Sequence, residues 1–262
     1  MKLKKILVRS LVRLGLKSGK TYEKPFPRFT PTEMVFMGKP FYIHDISSFY
    51  LGKKEIFHWG VYKFQAENDE PYIIDCGANL GMSIIYFKKL YPKASITAFE
   101  ADDYIFSFLE KNIKSFQYND VELVNNAVWN KEEELSFFAE GGAGGRLEVL
   151  GKEKNIKTVK ATRLKNWLKN KKIDFLKIDI EGAESEVIDD CKDELKNVEK
   201  IFIEYHSFNA KEQNLHRILM ILHMAGFRYH IKEAFTRQFP FIDKDLNVEM
   251  DLQLNIFGYR DK

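Results

Sequence analysis

The sequence predicts a doubly wound α/β protein, and three observations carry that expectation. An apolar run, Tyr72-Ile-Ile-Asp75, ends in an acid and passes into the turn Cys76-Gly-Ala-Asn-Leu-Gly81. Nineteen residues after Gly81, a second apolar run, Ser95-Ile-Thr-Ala-Phe-Glu100, ends in a second acid. From residue 71 onward, short apolar runs alternate with stretches of helical spacing, as parallel strands joined by helices require.

Taken in order, the first strand is expected over 72–75, then a helix over 80–90 that stops before Pro92. A strand over 95–100, a helix over 103–116 and a strand over 121–125 follow. An irregular stretch to about residue 162 holds two short strands, 134–138 and 157–162, and a short helix covers 164–169. The fourth core strand spans 173–179 and its helix 183–191. A fifth strand, 200–204, leads to a helix over 210–224 that ends at Gly226. Runs at 227–231 and 252–259 close the sheet. Ahead of this domain (71–262), residues 31–70 read as a small accessory region with a hairpin around Gly38-Lys39. Residues 1–30 read as a basic amphipathic segment and a proline-containing linker.

The turn and the two acids select among nucleotide ligands. The glycine spacing is Gly77-x-x-x-Gly81, not the G-x-G-x-x-G of dinucleotide sites, and a carboxylate at Asp75 would repel a pyrophosphate. S-adenosylmethionine has no phosphate and carries a sulfonium, an ammonium and a ribose diol, all suited to carboxylates. Gly77 lets the backbone approach a ligand, Gly81 lets the helix start pack closely, and Asn79 bonds the turn or the cofactor's amino-acid end. Glu100 can accept both ribose hydroxyls. An NAD-dependent enzyme is disfavoured, while a non-catalytic nucleotide-binding protein of this architecture remains the alternative.

A second dense stretch is Lys172-Ile-Asp-Phe-Leu-Lys-Ile-Asp-Ile-Glu-Gly-Ala-Glu184. Its strand ends near Asp179, at the carboxyl edge where open α/β sheets bind ligands. Glu181 and Glu184 join Asp179 there, or cap the following helix. The chain resembles the FkbM-type S-adenosylmethionine-dependent methyltransferases, which are class I, Rossmann-like enzymes. The matching pieces are Ile74-Asp-Cys-Gly-Ala-Asn-Leu-Gly81, Ala98-Phe-Glu-Ala-Asp102, Asn126-Ala-Val128, Thr162-Arg-Leu164 and Phe175-Leu-Lys-Ile-Asp-Ile-Glu-Gly-Ala-Glu184, within about residues 55–230. The resemblance implies a seven-stranded, mostly parallel sheet with an antiparallel last strand. It also implies O-methylation of a sugar, glycan or related hydroxyl, with Ala101, Asn126 and Ala127 beside the cofactor. Proline often follows the ribose-binding acid in the family; here Ala101 stands in that place.

Methyl transfer disperses the sulfonium charge, so aromatic walls help, and Trp59, Tyr62 and Phe99 are candidates, either for the cage or simply for the core. The acceptor proton needs a base. Asp179, Glu181, Glu204 and His206 are candidates, with His206 favoured by its near-neutral ordinary pKa, or else a plain loop residue. A divalent metal between Asp179, Glu204 and His206 stays open but is not expected. Glu140-Gly-Gly-Ala-Gly-Gly-Arg146 reads as a loop that folds over the acceptor or merely connects.

The composition excludes several classes. Two cysteines make no disulfide framework and suit a reducing, cytoplasmic setting. The first twenty residues hold seven cations, Lys2, Lys4, Lys5, Arg9, Arg13, Lys17 and Lys20, against an overall net charge of +3. The body is therefore mildly acidic and gives no nucleic-acid-binding surface. With Leu3, Leu7, Leu11 and Leu14 on one helical face, the first twenty residues suit peripheral contact with an anionic inner membrane face. A packed helix or a disordered tail is the alternative.

Overall fold

A computed structural model describes residues 28–138, 146–147, 156–209, 211–242 and 250–260. The expected N-terminal amphipathic segment and most of the Glu140–Arg146 loop lie outside the described residues.

Period-two alternation builds the central sheet, because successive side chains must find apolar cover on opposite faces. In β3 (Tyr72–Cys76), Ile73 enters one core and Ile74 the other; Phe175 and Leu176 divide in the same way in β10 (Phe175–Ile178). The remaining core strands are β4 (Ser95–Phe99), β5 (Val121–Val124), β11 (Lys200–Phe208), β12 (Arg228–Phe235) and β13 (Met250–Tyr259). Their order is β12-β13-β11-β10-β3-β4-β5. Only β13 runs antiparallel to its neighbours, β11 and β12. This is the expected seven-stranded sheet with an antiparallel last strand.

Helices α2 (Met82–Leu90) and α3 (Asp103–Phe116) cover one face; α4 (Leu164–Leu168), α5 (Glu184–Cys191) and α6 (Leu215–Met224) cover the other. The N-terminal hairpin, β1 (Thr32–Phe36) with β2 (Lys39–Ile43), forms around Gly38 as expected. Helix α1 (Ile46–Lys53) continues into a π-helical turn, Lys54–His58, marked by the Trp59 N–H to Lys54 carbonyl bond at 2.9 Å. Neither was expected, because aromatic residues mask the period of this segment. Phe36, Phe41, Ile43, Phe49, Ile56 and Tyr62 share one continuous core with α2 and α3.

Other departures bear on the site. β11 continues to Phe208 rather than stopping at Glu204, because β13 pairs along its whole length, with His206 opposite Gln253. His206 therefore stands on a strand, not in a loop. Helix α6 begins at Leu215, not 210, since the polar run before it offers no face to bury. The stretch between β5 and α4 forms a second sheet, β6 (Ala127–Trp129), β9 (Ile156–Arg163), β7 (Glu133–Phe138) and β8 (Arg146–Leu147), in that order. Arg163 grips Asp190 of α5 with Nε at 2.8 Å and a terminal nitrogen at 2.5 Å, tying this sheet to the domain. Among the described residues no helix is long and apolar enough to cross a membrane.

Asn112, fully buried in α3, joins the accessory hairpin to the domain. Its amide accepts from Tyr42 N at 2.7 Å and donates to the carbonyls of Tyr42 at 3.0 Å and Leu80 at 2.9 Å. Asn112→Ala removes all three bonds and strands buried backbone groups, so it should destabilise the protein by about 3 kcal/mol. Urea denaturation checks this: the midpoint should fall with an unchanged slope, and an unmoved midpoint would show that the clamp does nothing.

Candidate active site

The turn after β3 is held by the neighbouring strand. The N–H groups of Gly77 and Ala78 both donate to the Phe99 carbonyl, at 3.0 and 2.9 Å. Gly77 has φ +86°, and a Cβ there would lie 1.9 Å from the Asp179 carbonyl oxygen, so only glycine permits this approach of β3 and β10. Gly81, at φ +85°, opens α2; a Cβ would press on Leu109 at 2.8 Å, the close helix packing expected of it.

Glu100, at the end of β4, accepts from the backbone N–H of Asn79 on one oxygen and of Asp102 on the other, both at 2.9 Å. Burial pushes its carboxyl up to about 7, against the pull of those two donors. Each oxygen keeps acceptor capacity, and the side chain lines a cavity of about 1940 Å³. Gly77, Asn79, Ala101, Asn126, Ala127 and Tyr62 line the same cavity. Tyr62 is buried, with burial raising its hydroxyl pKa well above the ordinary value, and packs edge-on against Phe202. Trp59 stands at the rim, half exposed, while Phe99 is fully buried against Trp167.

Asp75 lies elsewhere than its motif suggests. It is wholly buried beneath the turn, accepts from Ser83 Oγ and pairs with Lys177 Nζ at 3.1 Å. Its charge is matched there, so it braces the turn rather than facing the cavity. Lys177 is 2% exposed, donates to the Gly77 carbonyl at 2.8 Å and reaches Asp179 at 3.4 Å. Sequence reasoning did not single out Lys177; its signal was a lysine inside an otherwise apolar strand, two residues before the terminal acid. Against the cost of burial, Asp75, Tyr62 and Asp179 hold its pKa well above the usual lysine range.

Past Asp179 the chain leaves β10 sharply, with Glu181 at φ 55° and Gly182 at φ 97°. Glu184 folds back and accepts from Gly182 N–H at 3.0 Å while meeting His206 Nδ1 at 3.0 Å. The other ring nitrogen of His206 faces Glu181 at 3.4 Å. Burial disfavours the charged ring, but Glu181, Glu184 and Glu204 outweigh it and raise the His206 pKa well above its ordinary value. In place of the near-neutral free base expected at His206, the ring is clamped between carboxylates that favour its charged form. Asp179, Glu181 and His206 place their ligand atoms within 4.8 Å of one another. Two carboxylates and an imidazole are donors a divalent cation can use, and no step is derived through one.

Glu55 from the π-helical turn and Glu204 from β11 also face the cavity, near Asp179. Burial, then Asp179, pushes Glu55 up to about 7 and Glu204 to about 8. The amide of Gln253 in β13 donates to Glu204. Neither Glu55 nor Gln253 carried a sequence signal, because only the folded chain brings them to this rim.

A sheet of this strand order, with a glycine turn and an acid at its carboxyl edge and no basic phosphate cradle among the described residues, is that of the class I methyltransferases. The model of the methyltransferase FkbM domain matches residues 75–229, and the chain belongs to that family. It is similar to Methyltransferase 1 of Beauveria bassiana (strain ARSEF 2860), 27% identical over 165 residues, covering 54% of this chain and 66% of that protein. It is also similar to the 2-O-methyltransferase NoeI of Sinorhizobium fredii (strain NBRC 101917 / NGR234), 26% identical over 169 residues, covering 57% of this chain and 69% of the relative. Among solved structures, the FkbM methyltransferase of Methylobacillus flagellatus KT aligns with TM-score 0.49 at 14% identity, covering 76% of this chain and 46% of that one. The chain thus spans just under two thirds of the first relative's length and less than half of this solved chain.

The Glu184–His206 pair makes stability depend on pH in two directions. Glu184 is lowered from 4.5, burial opposing and His206 prevailing, so its contribution is present above 4.5 and fades as pH falls through its folded pKa. His206 is raised from 6.5, so its contribution is complete below 6.5 and fades as pH rises through its folded pKa. Glu184→Gln should cost roughly 3–5 kcal/mol by leaving the cation unpaired. Its deficit against wild type should be largest between these two values and shrink on both sides. Denaturation across pH checks this, and a deficit independent of pH would remove the ion pair from the account.

Proposed function

We infer that this chain is an S-adenosylmethionine-dependent methyltransferase that methylates a hydroxyl of a sugar, glycan or related small metabolite. The observation that carries the cofactor is Glu100: its carboxyl is anchored by two backbone N–H groups and lines the cavity beside the glycine turn. When bound, the cofactor supplies an electrophilic methyl group. The residues of the chain do the rest. Glu100 accepts the ribose hydroxyls, Asn79, Ala101, Asn126 and Ala127 shape the wall around the nucleoside, and Tyr62 closes it from the accessory side. Asp179, tied to Lys177, lines the cavity at the end of β10 and orients the acceptor hydroxyl for in-line attack. Glu181 lies beside it, held by His206. The likeness to the 2-O-methyltransferase NoeI supports an oxygen acceptor.

Calorimetry should show binding of S-adenosylmethionine and none of NAD; the reverse would sink the reading. Glu100→Ala should weaken cofactor binding by about 2 kcal/mol, one hydrogen-bonded diol. Asp179→Asn should leave the fold intact and lower turnover roughly ten- to a thousand-fold, read as labelled methyl transferred into a glycan extract whose product mass spectrometry identifies. Full turnover would take Asp179 out of the reaction centre.

Peripheral contact of residues 1–20 with an anionic membrane belongs to the same proposal, since seven cations and a leucine face lie within twenty residues. The full chain should sediment with anionic vesicles at low salt and be released at high salt, whereas a chain beginning at residue 21 should stay in solution and still bind cofactor. Identical behaviour of the two would end the membrane reading.

A further inference from the structure

The cavity extends well past the cofactor turn, onto the last strands of the sheet. We propose that the face of β11, β13 and β12 leading outward from Asp179 is the acceptor's binding surface, and that it takes a saccharide bearing an anionic group, carboxylate or phosphate, held at Lys232. This deepens the methyltransferase reading above and rests on it.

Strand register lines these residues up. Between β10 and β11 the last paired position is Ile178 with Ile203, so Asp179 stands level with Glu204. Glu204 pairs with Asn255 of β13, and Asn255 pairs with Lys232 of β12. Residues directly opposite one another share a face of the sheet, and Asp179, Glu204, Asn255 and Lys232 all line the cavity. Neighbouring strands lie about 4.8 Å apart, so three steps put Lys232 roughly 14 Å across the sheet from Asp179, an interval that a disaccharide spans. Beside this row, His230 pairs with Phe257 on the same face. The Phe257 ring packs on Phe202 at 5.3 Å between centroids, meets the His230 ring at 6.3 Å and lies 5.4 Å below the Lys232 ammonium. A sugar ring presents C–H groups on its faces and hydroxyls at its edge, which suits an aromatic floor flanked by polar side chains.

Two groups in the row are left unanswered by the chain. Asn255 Oδ1 is buried and has no hydrogen-bond partner among the described residues, so it can accept from a sugar hydroxyl. Lys232 is exposed and has no ion pair among the described residues. A lysine on an edge strand often serves only to discourage pairing with another sheet. Lys232 differs in standing on the cavity face, next to an amide without a partner. Charge then decides which end of the acceptor goes where. Asp179, Glu181, Glu204 and Glu55 line the reaction end and disfavour an anion there. Lys177 is committed to Asp75 and Asp179, and Arg237 to Asp251. Lys63 lines the accessory wall, which leaves Lys232 as the lysine of the β12 wall. An acceptor with its anion at Lys232 presents its hydroxyl to Asp179, whereas the reversed pose sets the anion against the carboxyl groups.

Defined sugars test this without turnover. The full chain, with S-adenosylhomocysteine added, is titrated with D-glucose, D-glucuronic acid and D-glucose 1-phosphate at low salt, and binding is read by saturation-transfer difference NMR. Both anionic sugars should bind several-fold better than D-glucose and lose that advantage as salt rises. The tighter of the two tells carboxylate from phosphate. Lys232→Ala should weaken the anionic sugars roughly ten-fold, and Lys232→Arg should keep them, as a charge-assisted bond requires. Asn255→Ala should weaken them roughly five-fold, the loss of one hydrogen bond. Lys63→Ala removes the same charge from the accessory wall and should leave their binding as it was. Lys232 is exposed on an edge strand, so its variants should fold even if Asn255→Ala does not. Equal binding of all three sugars overturns the proposal, as does no binding of either anionic sugar. A loss in Lys63→Ala as large as in Lys232→Ala overturns it too, by moving the anion to the other wall. Calorimetry of S-adenosylhomocysteine with the wild type reads the parent inference separately: no binding there fails the methyltransferase reading, whatever the sugars do.

Discussion

A single buried ammonium organises the carboxyl edge of this sheet. Lys177 Nζ, at the centre strand, meets Asp75 of β3, Asp179 at its own strand end and the carbonyls of Cys76 and Gly77 in the cofactor turn. A lysine so buried is tolerated only when its donors are all engaged, and here each partner is something the site needs in a fixed place. The turn is held down onto β10, which is why Gly77 has no room for a Cβ. Asp179 is held against Lys177 at the end of its strand. Asp75 becomes part of the foundation instead of a ligand contact.

A second, mirror-like arrangement stands one strand further on. There the buried cation is His206 and its clamps are Glu184 and Glu181. Glu184 is anchored by Gly182 N–H within the sharp exit from β10, so the helix start, the strand exit and β11 are locked by one carboxylate. Buried pairs of this kind contribute little net stability compared with apolar packing, yet removing one partner is costly. Their effect is to specify geometry at the rim of the cavity.

The accessory region shares the domain's core rather than hanging from it. Its hairpin is clamped by Asn112, its aromatic residues fill the same core as α2 and α3, and its π-helical turn delivers Glu55 and Trp59 to the cavity. The acceptor side is thus built from segments some two hundred residues apart, closed on the far side by β12 and β13.

Much of the fold was legible before any coordinates. The alternation of apolar residues in 72–76, 95–99 and 175–178, the glycine turn and the acids at strand ends all encode local geometry, and periodicity reports local geometry faithfully. That Gly77, Asn79 and Glu100 come together on one wall of the cavity was legible for the same reason, since they lie close together in the chain. The second sheet, the π-helical turn and the extension of β11 through His206 were not legible. Each is stabilised by a partner distant in sequence: β9 for β6, the aromatic core for the turn, β13 for β11. The same limit explains the histidine. It is clamped by Glu181 and Glu184, which reach it from the exit of another strand, while its identity alone suggested a free base. What the sequence alone determined was which residues stand at the ends of the strands. Which of those charges neutralise one another, and which are left to meet a ligand, only the tertiary structure decided, because electrostatic partnership depends on distance through space and not along the chain.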